Sequence, residues 1–369
     1  MISWYLLVSV VLFIALFALY YLCKNIYNTS LMKKINNKII RLIISILLIL
    51  SILLVFNVIN SIVIILHLFI FISLTNICFR IYDNFKNKKI KRKKYSSNDL
   101  KFVVGLCITV IYLFIGAYLA YHVFETNYSI YTSKDIGVDS FRIVQFADSH
   151  VGTTFNGEKL KKYIDKINKK NPDIVVITGD FIDDDTSYKD MIDASKSLSY
   201  LKTKYGVYFV NGNHDKGYYN NRGYSYEDLV NELEKNNVIH LEDKVIDITD
   251  NIVLVGRKDK IYMDRKSIDE LVKDIDKDKY IIDLNHQPND YENEKNKVDL
   301  VLSGHTHGGQ LIPLGPIGVL TGANDSRYGL SKRGNTNYIV TSGISDWALD
   351  FKTGTKSEYV VIDITNKGE

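Results

Sequence analysis

The chain has 369 residues, with 46 Lys plus Arg against 42 Asp plus Glu, and 46% of its side chains are hydrophobic. That length holds two average domains, and the apolar fraction excludes a disordered chain. The net charge of +4 hides an asymmetry: residues 1–124 carry 14 basic and 2 acidic side chains, which leaves 32 and 40 for residues 125–369. An acidic second part argues against nucleic acid as a partner, because phosphate backbones are held by clustered Lys and Arg. Cys23, Cys78 and Cys107 all lie in the first third, so residues 125–369 have no disulfide framework and must fold on their own core.

The first element is an uncharged run from Trp4 to Leu22, long enough for a hydrocarbon core of ~30 Å. It has no basic residue before it and no small-residue cleavage site, so an uncleaved span is expected rather than a signal peptide. Between Arg41 and Arg80 lie 38 residues without a formal charge, with Asn57 and Asn60 near the midpoint. This predicts two helices joined by a turn around Asn57–Ser61. A fourth apolar run covers Phe102–Phe124. Residues 1–124 are therefore expected to be an all-α transmembrane region with helices near 4–22, 42–58, 61–79 and 102–124. A linker over 125–140 should follow, and then a catalytic domain over 141–369.

Positive charge sets the expected orientation. Lys24, Lys33, Lys34, Lys38 and Arg41 follow the first run, and Arg80, Lys86 and the Lys88–Lys94 cluster follow the third. Both segments belong on the cytoplasmic side, so the second part should face outward from the cell membrane. Lys88–Lys94, placed between two spans, suits anionic membrane lipids better than nucleic acid. His67 and His122 fall within or at the ends of apolar runs and read as structural.

Beyond residue 140, strands and helices alternate. Strands are predicted at Phe141–Ala147, Ile174–Thr178, Tyr205–Val210, Val238–Leu241, Ile252–Gly256, Tyr280–Leu284 and Val298–Leu302. Helical spacing marks Lys159–Lys170, Lys189–Lys204, Tyr226–Lys235 and Ile268–Ile275. This is α/β layering with largely parallel pairing, in which ligands collect beyond the carboxyl ends of strands. Five such ends run into polar, metal-competent residues: Asp148-Ser149-His150, Gly179-Asp180, Gly212-Asn213-His214-Asp215, Asn285-His286 and Gly304-His305-Thr306-His307-Gly308-Gly309-Gln310. Alternating imidazoles framed by glycines bring two ring nitrogens near one point. His240 has no nearby motif and reads as structural.

This ordered series of motifs resembles the calcineurin-like metallophosphoesterases. The GDFID, GNHD and GHTHGGQ wording is most similar to the membrane-associated bacterial phosphoesterase group, some of whose members carry N-terminal transmembrane helices. The resemblance implies a layered β-sandwich flanked by helices and a centre for two divalent metal ions. By similarity Asp148, His150 and His307 hold one ion, Asn213, His286 and His305 hold the other, and Asp180 bridges the pair. Carboxylate, imidazole and amide donors without cysteine suit Mn, Fe or Zn. Two ions ~3.5–4 Å apart need a shared carboxylate, and a bridging hydroxide would attack phosphorus in line. His214 is expected to protonate the leaving oxygen or to stabilise phosphoryl charge. Asp215 is expected to orient the His214 ring. Asp183 is a second candidate for such support, or else a solvated loop acid.

Three further segments are candidate substrate contacts. The Tyr-rich Lys216–Asp228 loop carries Tyr218, Tyr219 and Arg222, and Gly315–Gly334 carries Arg327, Lys332 and Arg333. The acidic run Asp183–Asp185 lies close to a metal motif. The expected activity is membrane-anchored hydrolysis of a phosphate ester or diphosphate bond, on a phosphorylated small-molecule or lipid-linked substrate. The alternative is a catalytically inactive metallophosphoesterase-fold binding or sensor module, which a complete ligand set disfavours.

Overall fold

The computed structural model describes residues 4–89, 98–152, 155–217 and 222–366. Its backbone contacts divide the chain into two units, Met1–Gly116 and Ala117–Glu369.

The first unit is helical: Trp4–Tyr27, Lys38–Leu50 continued by Ile52–Val55, Val58–Lys89, and most of Asn98–Tyr121. Each of these four contains a stretch long and apolar enough to cross a membrane. The turn expected at Asn57–Ser61 sits slightly earlier, because the Asn57 side chain accepts the Asn60 N–H at 2.8 Å and caps a helix that already starts at Val58. Ala18, Leu22, Ile49, Ile65 and Ile72 form the small interior of the unit. At Gly105 a Cβ would stand 2.8 Å from the Ile72 Cα, so the residue lets two helix backbones approach closely. The Lys88–Lys94 cluster lies outside the residues whose side chains are described.

The second unit holds two six-stranded sheets. The first is built from β1 (Val123–Thr132), β2 (Ser140–Phe146), β3 (Ile174–Thr178), β4 (Val207–Val210), β5 (Val238–His240) and β12 (Ser357–Asn366), in the order β1-β12-β2-β3-β4-β5. The second is built from β6 (Lys244–Asp247), β7 (Ile252–Gly256), β8 (Tyr280–Leu284), β9 (Leu300–Ser303), β10 (Gly329–Arg333) and β11 (Thr336–Val340), in the order β10-β11-β9-β8-β7-β6. The central runs β2-β3-β4-β5 and β11-β9-β8-β7 are parallel.

Alternation along each strand fixes the layering. Ile143, Ile174, Val176, Ile282, Leu302 and Ile362 point into one core drawn from both sheets. Their neighbours Val144, Val175 and Ile177 pack instead with Leu160, Ile164, Met191 and Leu229 of the helices Gly157–Asn168, Tyr188–Leu198 and Tyr226–Lys235. On the far sheet Val255, Ile281 and Val301 pack with Ile268, Leu271 and Tyr291. The result is a β-sandwich flanked by helices, with parallel strands buried on both faces.

Two boundaries near residue 124 differ from the sequence reading. The helix expected to run to Phe124 ends at Tyr121, and residues 123–132, assigned in part to a linker, form β1. This strand lies parallel to β12 from Val123↔Ser357 to Thr132↔Asn366. Its side chains are mostly exposed or half-buried, so main-chain pairing rather than an apolar run defines it.

Candidate metal centre

The polar residues converge where strands of both sheets end. β2 leads into Asp148 and His150, β3 into Asp180, β4 into Asn213 and His214, β8 into His286, and β9 into His305 and His307. Asp148, His150 and His307 bring one potential ligand atom each within 4.8 Å of one another, and so do Asp180, His286 and His305. His150 Nε2 and His307 Nε2 stand 3.2 Å apart. The Asp180 carboxylate links the two groups, with one oxygen 3.1 Å from His286 Nε2 and 3.9 Å from His150 Nε2. Asn213 is buried at the start of the short helix Asn213–Lys216.

The backbone is bent to achieve this. Eleven non-glycine residues among those described have positive φ, and Asp148 (53°), His150 (39°), Asp180 (51°), His305 (72°) and His307 (47°) are five of them. Each such conformation costs on the order of 1 kcal/mol, and they persist where surrounding contacts over-determine them. Those contacts are visible. Asp148 accepts the His305 N–H at 3.0 Å, and Asp180 accepts the His214 N–H at 2.8 Å. His286 Nδ1 lies 2.8 Å from the Thr178 carbonyl, which fixes that nitrogen as the donor and leaves Nε2 for Asp180. Gly304 is required by close approach, since a Cβ there would stand 2.6 Å from both Ala147 Cβ and Asp148 Oδ2.

Burial pushes the Asp148 carboxyl up to about 6, with His286 opposing the rise and Asp180 adding to it. Burial also acts to raise Asp180, but the imidazoles of His286, His150 and His214 draw it well below the carboxylate range. His305 is pushed down to about 3 by burial and then by His286, and burial also holds His307 well below its ordinary value. Asp180 is thus ionised and His305 and His307 are neutral, the forms that bind cations, whereas at His286 the effect of burial is outweighed by Asp180 and Asp148, which raise its pKa well above the ordinary value. His307 Nδ1 is also buried without a hydrogen-bond partner. These donors fit divalent metal ions.

Two expectations are exchanged by the structure. The carboxylate on the His214 ring is Asp183, whose Oδ1 lies 2.9 Å from Nδ1, and its Oδ2 lies 3.3 Å from His150 Nδ1. Burial disfavours a charged His214, but the hydrogen bond it donates to Asp183 and then the charge of Asp180 raise its pKa above the ordinary value. Asp215 instead accepts the backbone N–H groups of Asp180, Phe181, Ile182 and Gly212 at 2.7–3.1 Å. It fastens the β3 and β4 end loops together and does not orient the imidazole. Spacing placed both acids nearby, but which one reaches a ring nitrogen depends on the turn geometry.

Of the other candidates, Tyr218 and Tyr219 lie outside the described residues. Arg222 donates to the carbonyls of His214 and Asp215 at 3.2 and 3.1 Å, so it supports the site turn. Arg327 packs across Gly309 and Gly315, beside the β9 end loop, while Arg333 pairs with Glu292 and Asp325. Lys332 is exposed on β10. His240 accepts or donates at 3.0 Å to the Tyr226 hydroxyl, away from the cluster. Sequence reasoning missed the β11–β12 loop. There Gly343 crosses Asp148 so closely that a Cβ would stand 2.8 Å from the Asp148 Cβ, and the Trp347 ring centroid lies 5.4 Å from that of His214.

Residues 141–309 match the family model of the calcineurin-like phosphoesterases. An uncharacterized metallophosphoesterase of Campylobacter jejuni is 31% identical over 233 residues, which are 61% of this chain and 59% of that one. One from Bacillus subtilis is 29% identical over 67% of this chain and 87% of its own length. A zebrafish relative, named a transmembrane protein with metallophosphoesterase domain, is 30% identical over 60% of this chain and 52% of its own. The chain thus spans about 59% of the length of the Campylobacter relative. Among solved structures, a zebrafish dimetal phosphatase is similar at 12% identity and a TM-score of 0.32, covering 55% of this chain and 87% of that one. The sandwich and its strand-end motifs fall within the matched segment, so residues 141–309 carry a calcineurin-like phosphoesterase domain.

Proposed function

We propose that the protein is a membrane-anchored, metal-dependent phosphoesterase that hydrolyses a phosphate ester or diphosphate bond at the membrane surface. One observation carries the reading: the Asp180 carboxylate stands between two converging groups of His and Asp side chains. Asp148, His150 and His307 would hold one divalent ion and Asn213, His286 and His305 the other, with Asp180 shared. When bound, the ions supply Lewis acidity toward the phosphoryl oxygens and acidify water.

The chain's own groups do the rest. Asp183 holds Nδ1 of His214 and favours its protonated form, so His214 can hand a proton to the leaving oxygen. Asp215 keeps the Asp180 and Asn213 loops in register through four backbone hydrogen bonds. The four apolar helices suit an anchor, and the excess of Lys and Arg after the first and third of them suits an outward-facing domain.

The test is a panel of lipid diphosphates, phosphodiesters and phosphomonoesters given to the full-length chain with Mn²⁺, beside Asp180→Asn. Hydrolysis by the unaltered chain and its loss in the variant are expected. Equal turnover by Asp180→Asn would refute the site. A carboxyl-terminal reporter active only in the cytoplasm would overturn the orientation.

A further inference from the structure

Two loops beyond the metal centre expose large apolar side chains and are bonded to each other. The segment after His307 presents Ile312, Leu314 and Leu320, exposed by 53%, 50% and 81%. The β11–β12 loop presents Trp347, exposed by 44%. The Gln310 carbonyl accepts the N–H groups of Thr353 and Gly354 at 2.9 and 3.1 Å, and the Ile312 N–H donates to Thr353 Oγ1 at 3.1 Å. Single exposed apolar residues are ordinary on soluble proteins, whereas a group of them beside a site marks an interaction surface.

The Trp347 loop is built to be rigid. Lys352 is fully buried, donates to the carbonyls of Ser342 and Ser345 at 2.8 and 2.9 Å, and stands 3.3 Å from the buried Asp346. A buried lysine needs such compensation to be tolerated at all. This arrangement holds an indole in the open next to His214, the proposed proton donor to the leaving group.

The same loop is tied to the end of an apolar helix. Tyr121, the last residue of Asn98–Tyr121, donates its hydroxyl to Asp350 at 3.0 Å, and Ser357 Oγ donates to the Ala120 carbonyl at 2.6 Å. Around that helix end His122 stacks on Tyr118 at 5.2 Å and meets Phe124 at 4.6 Å. Aromatic side chains collect in this way where a span leaves the hydrocarbon. The chain enters β1 at Val123, directly after this aromatic group.

We propose that Ile312, Leu314, Leu320 and Trp347 form a lip seated in lipid. The lip receives the hydrocarbon part of a membrane lipid whose headgroup phosphate is delivered to the metal centre. This rests on the phosphoesterase reading and names its substrate class. The sequence has only two tryptophans, so Trp4→Phe makes Trp347 the sole tryptophan emitter. In vesicles whose acyl chains are brominated, its emission should fall about twofold or more relative to unbrominated vesicles of the same headgroups. Equal emission in both would overturn the seat in lipid.

The second arm compares long-chain and short-chain versions of one lipid diphosphate. The double variant Leu314→Ser/Leu320→Ser should lower the long-to-short ratio of kcat/KM about tenfold, with short-chain turnover unchanged. An unchanged ratio would overturn the lip as substrate seat. Hydrolysis of neither version while Trp347 is quenched would reject the lipid-substrate reading and leave the seat in lipid standing. A quenched Trp347 whose signal depends on protein concentration would replace lipid with a second copy of the chain.

Discussion

The strand-end rim and the apolar helices differ in how far most of their polar side chains reach for a partner. In the helices, Asn25 bonds back to the Tyr21 carbonyl at 2.9 Å, Ser45 to that of Arg41 and Thr109 to that of Gly105, both at 2.8 Å. Each of these bonds closes within one turn of its own helix, as hydrocarbon surroundings demand, although Asn76 also donates across helices to the Tyr21 hydroxyl at 2.9 Å and to Asn25 Oδ1 at 3.4 Å. At the rim, carboxylates and imidazoles from strands of two sheets turn toward one another, and five of their residues keep left-handed backbone. Local closure marks a structural element. Convergence between distant segments, held against strain, marks chemistry.

That contrast can be broken in three places. His214→Ala should lower kcat about 100-fold, the usual scale for a proton donor, while bound metal stays near the level of the unaltered protein. Steady-state rates and elemental analysis check this, and a loss of metal in step with activity would make His214 a ligand instead. Asp215→Asn should lower stability by about 2–3 kcal/mol, because one carboxylate serves four backbone donors that bind the β3 and β4 loops. Denaturant unfolding decides it, and unaltered stability would return Asp215 to the role first expected of it. Thr109→Val should shift stability by about 0.5 kcal/mol or less, since the Gly105 carbonyl it touches is served by the helix itself. A larger loss would show that Thr109 does more than close a bond within its own helix.

Much of the site was legible because its chemistry restricts residue type at each strand end. The strands Ile174–Thr178, Ile252–Gly256 and Tyr280–Leu284 and the helix Tyr226–Lys235 match the sequence reading at both ends. These are continuous apolar runs or amphipathic periods closed by turn residues. β12 was missed although Val360, Ile362 and Ile364 alternate into the core, because no motif follows it. β1 and β10 are sheet edges with mixed burial, so pairing partners rather than composition decide them. The exchange of Asp183 and Asp215 has a similar cause. Both acids lie a few residues from a candidate ligand, but only the folded turns decide which one meets an imidazole and which meets backbone. Trp347 belongs to no motif and becomes visible only once β11 and β12 bring their connection to His214.

The account stands on Asp180 serving two cation positions at once. Chelator-treated full-length protein titrated with Mn²⁺ in a calorimeter should take up two ions per chain, and Asp180→Asn should lose that uptake while keeping its far-ultraviolet circular dichroism. Binding of one ion or none by the unaltered chain, or two ions bound equally well by Asp180→Asn, would contradict it.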